Sequence, residues 1–327
     1  EMCENAATTL AVRQVVLRAD GWTAPPAGSV NDAVVSADGD IYFGASDGSS
    51  HKLIKLDKNG VKQWEYATNV SIGMPAVLSD GTVYFGRIGA GGANTFTALN
   101  PDGSKRWDYF GAGSVAKVTV SKDGSAYFTS NVNPNSRLHV LNSAGDLTIE
   151  KIGPGFYDFS PVVLEDGTII MTRSGSQFTA YSADGTELWD RVYGGNSGNV
   201  QSDPSYDQIT GNTYSAIGYN GGSFGFKMFV IPSDGSNVDP VVIDSVSNGS
   251  VATMVSITPT SLFVGLDYSW SNPASGSKLF SLNKSGLAVN WSFQAEGKIN
   301  QQIAIDKNGN SYFSTENGTL YSVNSAG

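Results

Sequence analysis

Ala76-Val-Leu-Ser-Asp-Gly-Thr-Val-Tyr-Phe-Gly86, followed by Phe96-Thr-Ala-Leu-Asn-Pro-Asp-Gly-Ser-Lys-Arg-Trp-Asp-Tyr109, decides the fold of this chain. Each half joins two alternating apolar runs through a tight Asp-Gly turn, the strongest short-range signal for a β-hairpin. The phrase then recurs. Its first turn glycine stands at Gly39, Gly81, Gly124, Gly167, Gly211 and Gly309, with a degenerate copy at Thr260-Ser261. Its second stands at Gly60, Gly103, Gly145, Gly185, Gly235, Gly286 and Gly327. Seven copies at a mean period of about 44 residues fall in the range of four-stranded propeller blades.

The strands of each copy, a to d, are equally regular. Strand b reads Ile41-Tyr-Phe-Gly44, Val83-Tyr-Phe-Gly86, Ala126-Tyr-Phe128 and Leu262-Phe-Val-Gly265, and strand c reads Leu53-Ile-Lys-Leu56 and Leu138-His-Val-Leu141. Strand d carries Trp64, Trp107, Trp189 and Trp291 at a nearly fixed distance after the turn glycine. A large aromatic at a fixed place is expected to pack between neighbouring blades, its N–H finding a nearby acceptor. The expected fold is therefore all-β: a seven-bladed β-propeller of four-stranded antiparallel blades. Residues 1–9 read as a flexible tail and residues 10–327 as a single propeller domain. The seventh copy reaches Ala326-Gly327 where strand d should begin, while Leu10-Ala-Val-Arg-Gln-Val-Val-Leu17 is an unassigned β-like run. Residues 10–18 are thus expected to supply the outer strand of the last blade and close the ring, against a competing helical reading of residues 8–19.

Composition agrees. Of 327 residues 39 are glycine, only 15% are charged, and 20 basic against 30 acidic side chains leave a net charge of −10. This excludes a coiled coil, and 40% hydrophobic residues argue against disorder. No run of about 18 apolar residues is present to span a membrane as a helix. The acidic balance disfavours nucleic acid and anionic polysaccharide as partners. The opening Glu-Met-Cys-Glu lacks the basic and apolar regions of a signal peptide and reads as a processed or trimmed start. The single cysteine, Cys3, excludes an intramolecular disulfide and a multi-cysteine zinc site. It is weighed as a lipid anchor against a plain tail, with Met2 standing where lipoprotein processing favours a small residue. Asn-x-Ser/Thr sequons at Asn69, Asn248, Asn283, Asn290 and Asn317 read as accidents of an Asn- and Ser-rich chain.

At Asp80-Gly-Thr-Val-Tyr-Phe-Gly86 and Ala98-Leu-Asn-Pro-Asp-Gly-Ser-Lys-Arg-Trp107 the sequence resembles the PQQ-like, or BamB-like, family of β-propeller repeats, over nearly its whole length. That family includes quinone-dependent dehydrogenases and non-catalytic scaffolds of the bacterial cell envelope. The dehydrogenases are longer, have eight blades, and carry adjacent cysteines, an acidic base and calcium ligands. This chain has seven copies and one cysteine, and shortens the docking signature to Asp-Gly-x-x-x-Trp. The resemblance therefore implies a scaffold without quinone, with no cofactor and no metal site expected.

Loops carry the remaining functional signal. The a–b and c–d turns are short and uniform, whereas the opposite end varies, with long b–c loops at Arg87 to Thr95, Asn131 to Arg137, Tyr219 to Phe226 and Asp267 to Lys278. Variable loops on a rigid scaffold are where binding usually resides. Tyr219, Tyr268 and Trp270 are candidates for a stacking platform, and Tyr157 with Asp158 for a polar contact, the alternative being that these side chains cover their own loops. A second candidate set occupies one position of strand a, lining the central channel: Asp32, Met74, Lys117, Ser160, Asp203, Thr253 and Gln302. Channel hydration is the simpler account of that set.

Catalytic constellations are hard to build. His51 and His139 are the only histidines, both beside strand c and expected to be partly exposed. No Gly-x-Ser-x-Gly elbow or His-Glu-x-x-His pair occurs. Asp306-Lys-Asn-Gly-Asn310 imitates a calcium loop but sits on a repeat turn. Asp267 with Tyr268 and Arg173 offers carboxylate and tyrosine chemistry without a spacing that selects it. The expected function is a non-catalytic, extracellular or periplasmic and outer-membrane-associated propeller that binds a protein partner or glycan through its variable face. Alternatives are a lyase or glycosidase using that face, or a structural subunit of a surface assembly.

Overall fold

A computed structural model describes residues 29–327 apart from 31–32, 37, 47–49, 89–94, 112, 133–134, 154–158, 174–176, 194–198, 201, 219–225, 237–238, 245–249, 252, 269–275, 300–301, 307 and 318. The tail, Cys3 and the 10–18 strand thus lie outside the described residues. Within them the chain forms seven antiparallel sheets and no helix, a seven-bladed β-propeller. Six sheets run in the order a, b, c, d, and the last shows three described strands, Ala304–Ile305, Ser311–Ser314 and Leu320–Val323. The chain divides into two compact units, residues 16–171 with 181–187, and residues 1–15, 172–180 and 188–327, a division that passes through the fourth sheet.

The glycine turns are what make the sheets repeat. At Gly60, Gly103, Gly145 and Gly185 φ lies between +81° and +90°, a region that costs glycine nothing. Each of these N–H groups donates to the carbonyl three residues earlier. An aspartate or asparagine of the turn caps it, as where Asp102 Oδ1 accepts from Ser104 N at 2.9 Å and Asn142 Oδ1 accepts from Asp146 N at 2.9 Å. Asp306 behaves in the same way, accepting from Asn308 N and Asn310 N. One turn departs from expectation: Gly286 is not left-handed. In this turn Leu287 N reaches back to Asn283 O and Leu287 takes φ 57° instead.

In the unit of residues 16–171, apolar side chains of adjacent sheets fill the space between them. Tyr42, Leu53, Val83 and Phe85 join sheets one and two, while Tyr84, Phe96, Phe128 and Leu141 join two and three. The tryptophans behave as expected. Trp64 Nε1 donates to Pro101 O at 2.9 Å and Trp107 Nε1 to Ser143 O at 3.1 Å, each in the next sheet's c–d turn. Each indole also lies where a Cβ on that turn's glycine would stand, 2.7 Å away at both Gly103 and Gly145. Sheet three has no tryptophan, and Ile149 covers Gly185.

In the other unit, Trp189 Nε1 donates to Ser233 O and Trp291 Nε1 to Ser325 O, both at 3.0 Å. The d strand of sheet five, Val241–Asp244, has no tryptophan, and nothing stands over Gly286. At that junction an ion pair takes over: Lys284 Nζ of sheet six lies 2.8 Å from Asp207 Oδ2 of sheet five, with both side chains buried.

Strand a differs from expectation by being interrupted. In sheet two it is two fragments, Ser71–Ile72 and Ala76–Val77, both paired with strand b. Between them Met74 N leaves the sheet and donates to Ala116 O of sheet three. This close approach requires a glycine opposite, since a Cβ on Gly86 would meet Val115 at 2.3 Å.

Candidate functional site

In the unit of residues 188–327, the variable ends of sheets five and six gather polar side chains at the feet of two long loops. Strands Asn212–Gly218 and Phe226–Pro232 pair up to Gly218 opposite Phe226, which sets the end of the first hairpin's described part. Strands Ser261–Asp267 and Ser277–Asn283 pair up to Asp267 opposite Ser277, which frames the second. Tyr268 N donates to Gly276 O at 3.1 Å and closes its base. Gly276 sits at φ 59° with Ala295 O only 2.3 Å from where a Cβ would be, so the chain turns there against the next strand. Ser277 Oγ accepts from Ile299 N, tying the same foot to the following connection.

Tyr268 lies inside this framework. It is 8% exposed, packs with Phe226 and Phe280, and donates its hydroxyl to Asp244 Oδ2 at 2.6 Å. Lys278 Nζ stands 5.1 Å from its ring centre and 3.7 Å from the same carboxylate. Burial first, and then the Asp244 carboxylate, raise the Tyr268 hydroxyl above the ordinary tyrosine range, so it remains a donor at physiological pH. Beside it, buried Asp267 faces the half-exposed Lys298 at 3.4 Å. The site thus offers two acid–base pairs at a partly exposed rim, with tyrosine and carboxylate committed to each other.

Of the residues singled out in the sequence, Tyr268 is therefore a packed anchor and does not present an open ring. Trp270, Tyr219, Tyr157 and Asp158 lie outside the described residues. Asp32 does too, and the other positions of its set differ among themselves: Met74, Lys117 and Ser160 are half-buried, Asp203 and Thr253 buried, and Gln302 exposed. Thr253 Oγ1 accepts from Gly265 N at 2.8 Å and so serves its own sheet. Arg173 lies 3.3 Å from Asp190. Two expectations need correction. His139 is not partly exposed but wholly buried, and Asn131 to Arg137 is no long loop, because the hairpin continues to Val132 opposite Asn135.

Asp244, Lys278 and Lys298 were not foreseen. A signal existed: a cation recurs just inside strand c, at Lys52, Arg137, Lys227 and Lys278. It is paired with an acid of strand d in sheets one and three, Lys52 with Glu65 at 2.7 Å and Arg137 with Glu150 at 2.8 Å. Lys278 breaks that pattern by reaching Asp244 of the preceding sheet.

No sequence-family model matches the chain, and no curated protein does. Among solved structures, BamB from Moraxella catarrhalis superposes with a TM-score of 0.59 at 13% identity, over 90% of this chain and 98% of that one. A europium-containing methanol dehydrogenase superposes with a TM-score of 0.61 at 10% identity, over 86% of this chain and 72% of that one. The fold is thus that of the BamB-like and PQQ-like propellers, one matched structure being an enzyme and the other bearing no enzyme name.

Proposed function

We propose that the protein is a binding propeller of the cell envelope or exterior that takes a protein partner at the loop ends of sheets five and six. The observation that carries this reading is the asymmetry of those sheets. One end consists of hydrogen-bonded tight turns, while at the other the strand pairs run to Gly218 opposite Phe226 and Asp267 opposite Ser277, beside a rim bearing Lys278 and Lys298. An aromatic flanked by serine and asparagine, as at Ser269-Trp270-Ser271-Asn272, is a composition suited to protein contact, because it supplies rigid area beside adaptable hydrogen bonds. The likeness to BamB supports an envelope location and a scaffold role, and Tyr268 acts in this reading as the fixed foot of the loop. A glycan taken by the same tryptophan is the competing ligand class.

A photo-crosslinking residue in place of Trp270, compared with one in place of Asp102 on a c–d turn, tests the proposal in the native cell. A discrete protein adduct from position 270 and none from position 102 is expected. Equal labelling from both positions, or carbohydrate as the only adduct at 270, would overturn it.

A further inference from the structure

Strands c and d carry a polar pair at equivalent places in successive sheets. In sheet two Thr97 Oγ1 donates to Asp108 Oδ1 at 2.8 Å, and in sheet four Thr179 Oγ1 donates to Asp190 Oδ1 at 3.2 Å. Sheet three puts His139 opposite Glu150 at this position, and the two fall short of bonding. His139 Nδ1 lies 3.8 Å from Glu150 Oε1 and has no hydrogen-bond partner among the described residues, although the residue is 0% exposed. Nε2 is 2.8 Å from Ser130 Oγ of strand b. Phe128 stacks on the imidazole at 5.1 Å, and Tyr109 of sheet two meets its edge at 5.9 Å. Glu150 is meanwhile held by Arg137 at 2.8 Å. A carboxylate beside Nδ1 favours the tautomer protonated there, which leaves Nε2 to accept from the Ser130 hydroxyl.

We propose that Ser130, His139, Glu150 and Arg137 form a proton-driven partner exchange in the seam between sheets two and three. When His139 takes a solvent proton at Nε2, the Ser130 hydroxyl changes from donor to acceptor. The imidazolium then closes on Glu150, and Arg137, third residue of its strand at the loop end, is released from that carboxylate. The only covalent change is the Nε2–H bond, formed as a hydronium O–H bond breaks to leave water. The titratable and charged groups facing the ring are Glu150 from strand d, Arg137 from its own strand and Tyr109 from the neighbouring sheet. Burial, the largest influence, and Arg137 oppose the cation while Glu150 favours it, holding the imidazole down to about 4. The folded value lies below the unfolded one of about 6.5. The associated stability is therefore complete above pH ~6.5 and falls away as pH drops toward ~4.

An NMR titration from neutral pH to below pH 4, following the His139 ring carbons and the Arg137 Nε–H, tests the exchange. The wild type should show both signals moving with one midpoint near pH 4, and its folding equilibrium should weaken by nearly tenfold per pH unit between ~6.5 and ~4. In Glu150→Gln the His139 midpoint should fall further and the Arg137 signal should cease to follow it. The double variant His139→Thr with Glu150→Asp installs the pair of sheet two and should flatten both the Arg137 response and the acid loss of stability. Should it fail to fold, the wild type and Glu150→Gln decide. A wild-type His139 titrating near pH 6.5, or an Arg137 signal indifferent to His139, would overturn the proposal.

Discussion

Replacing Lys284 with methionine strands a buried carboxylate, and the cost follows from the geometry. Lys284 and Asp207 side chains are 7% and 4% exposed, with 2.8 Å between charges. At an effective dielectric of about 20, attraction at that distance is about 6 kcal/mol, while desolvation of each ion costs several kcal/mol. The pair is thus near balance as a whole, but loss of one member leaves the other's desolvation uncompensated, typically about 3–5 kcal/mol. Asp207 keeps Thr210 Oγ1 at 2.7 Å and Ile209 N at 3.1 Å, which places Lys284→Met at the lower end, about 3 kcal/mol. Burial pushes the Asp207 carboxyl up, but Lys284 and Thr210 outweigh it and hold it below the ordinary range. Its contribution is therefore present above the unfolded value of about 4 and lost in more acidic solution. Urea unfolding at pH 7, followed by tryptophan fluorescence, measures the effect. The double variant Lys284→Met with Asp207→Asn should recover most of the loss, since no bare charge remains. A single variant within about 0.5 kcal/mol of wild type, or a double variant as unstable as the single, would refute the reasoning.

Gly145→Ala should cost about 2–3 kcal/mol by thermal unfolding, since it adds a clash with Trp107 to left-handed strain, whereas Gly60→Ala, with nothing within 4 Å, should cost only about 1 kcal/mol. Equal costs would mean that the indole gives way. Tyr268→Phe leaves Asp244 without its 2.6 Å donor and should lower stability by about 1–2 kcal/mol in the same assay. It should also raise amide exchange at Gly276, and unchanged exchange would detach Tyr268 from the loop foot. Removing residues 1–18 should lower the melting temperature by several degrees if residues 10–17 complete the seventh sheet, and an unchanged value would exclude that role.

The repeat was legible because turn chemistry is local: Asp-Gly needs no distant partner to specify a left-handed turn, so seven sheets could be counted along the chain. Tryptophan docking was legible for the same reason, its acceptor lying one repeat away, as with Trp107 and Ser143. What escaped depends on neighbours that sequence spacing does not display. Nothing about Lys284 on a surface-like turn announces that Asp207 lies opposite it, and the burial of His139 comes from Phe128, Tyr109 and the neighbouring sheet. The interruption of strand a was hidden because Met74 finds its carbonyl in another sheet. The platform expectation depended on aromatics being outward, and Tyr268 turned inward because Asp244 could accept its hydroxyl.

Identical docks cannot tell one neighbour from another. An indole on a turn glycine would serve any two blades equally well, so a chain built only of such contacts could pair its sheets out of order while folding. Among the described junctions Ile149 over Gly185 and Lys284 against Asp207 are the exceptions, and each matches one sheet to one successor. Replacing both odd junctions with the tryptophan version should therefore leave the native blades well packed yet slow refolding and increase misassembly. In this sense the irregular junctions work as addresses, written where the repeat is broken.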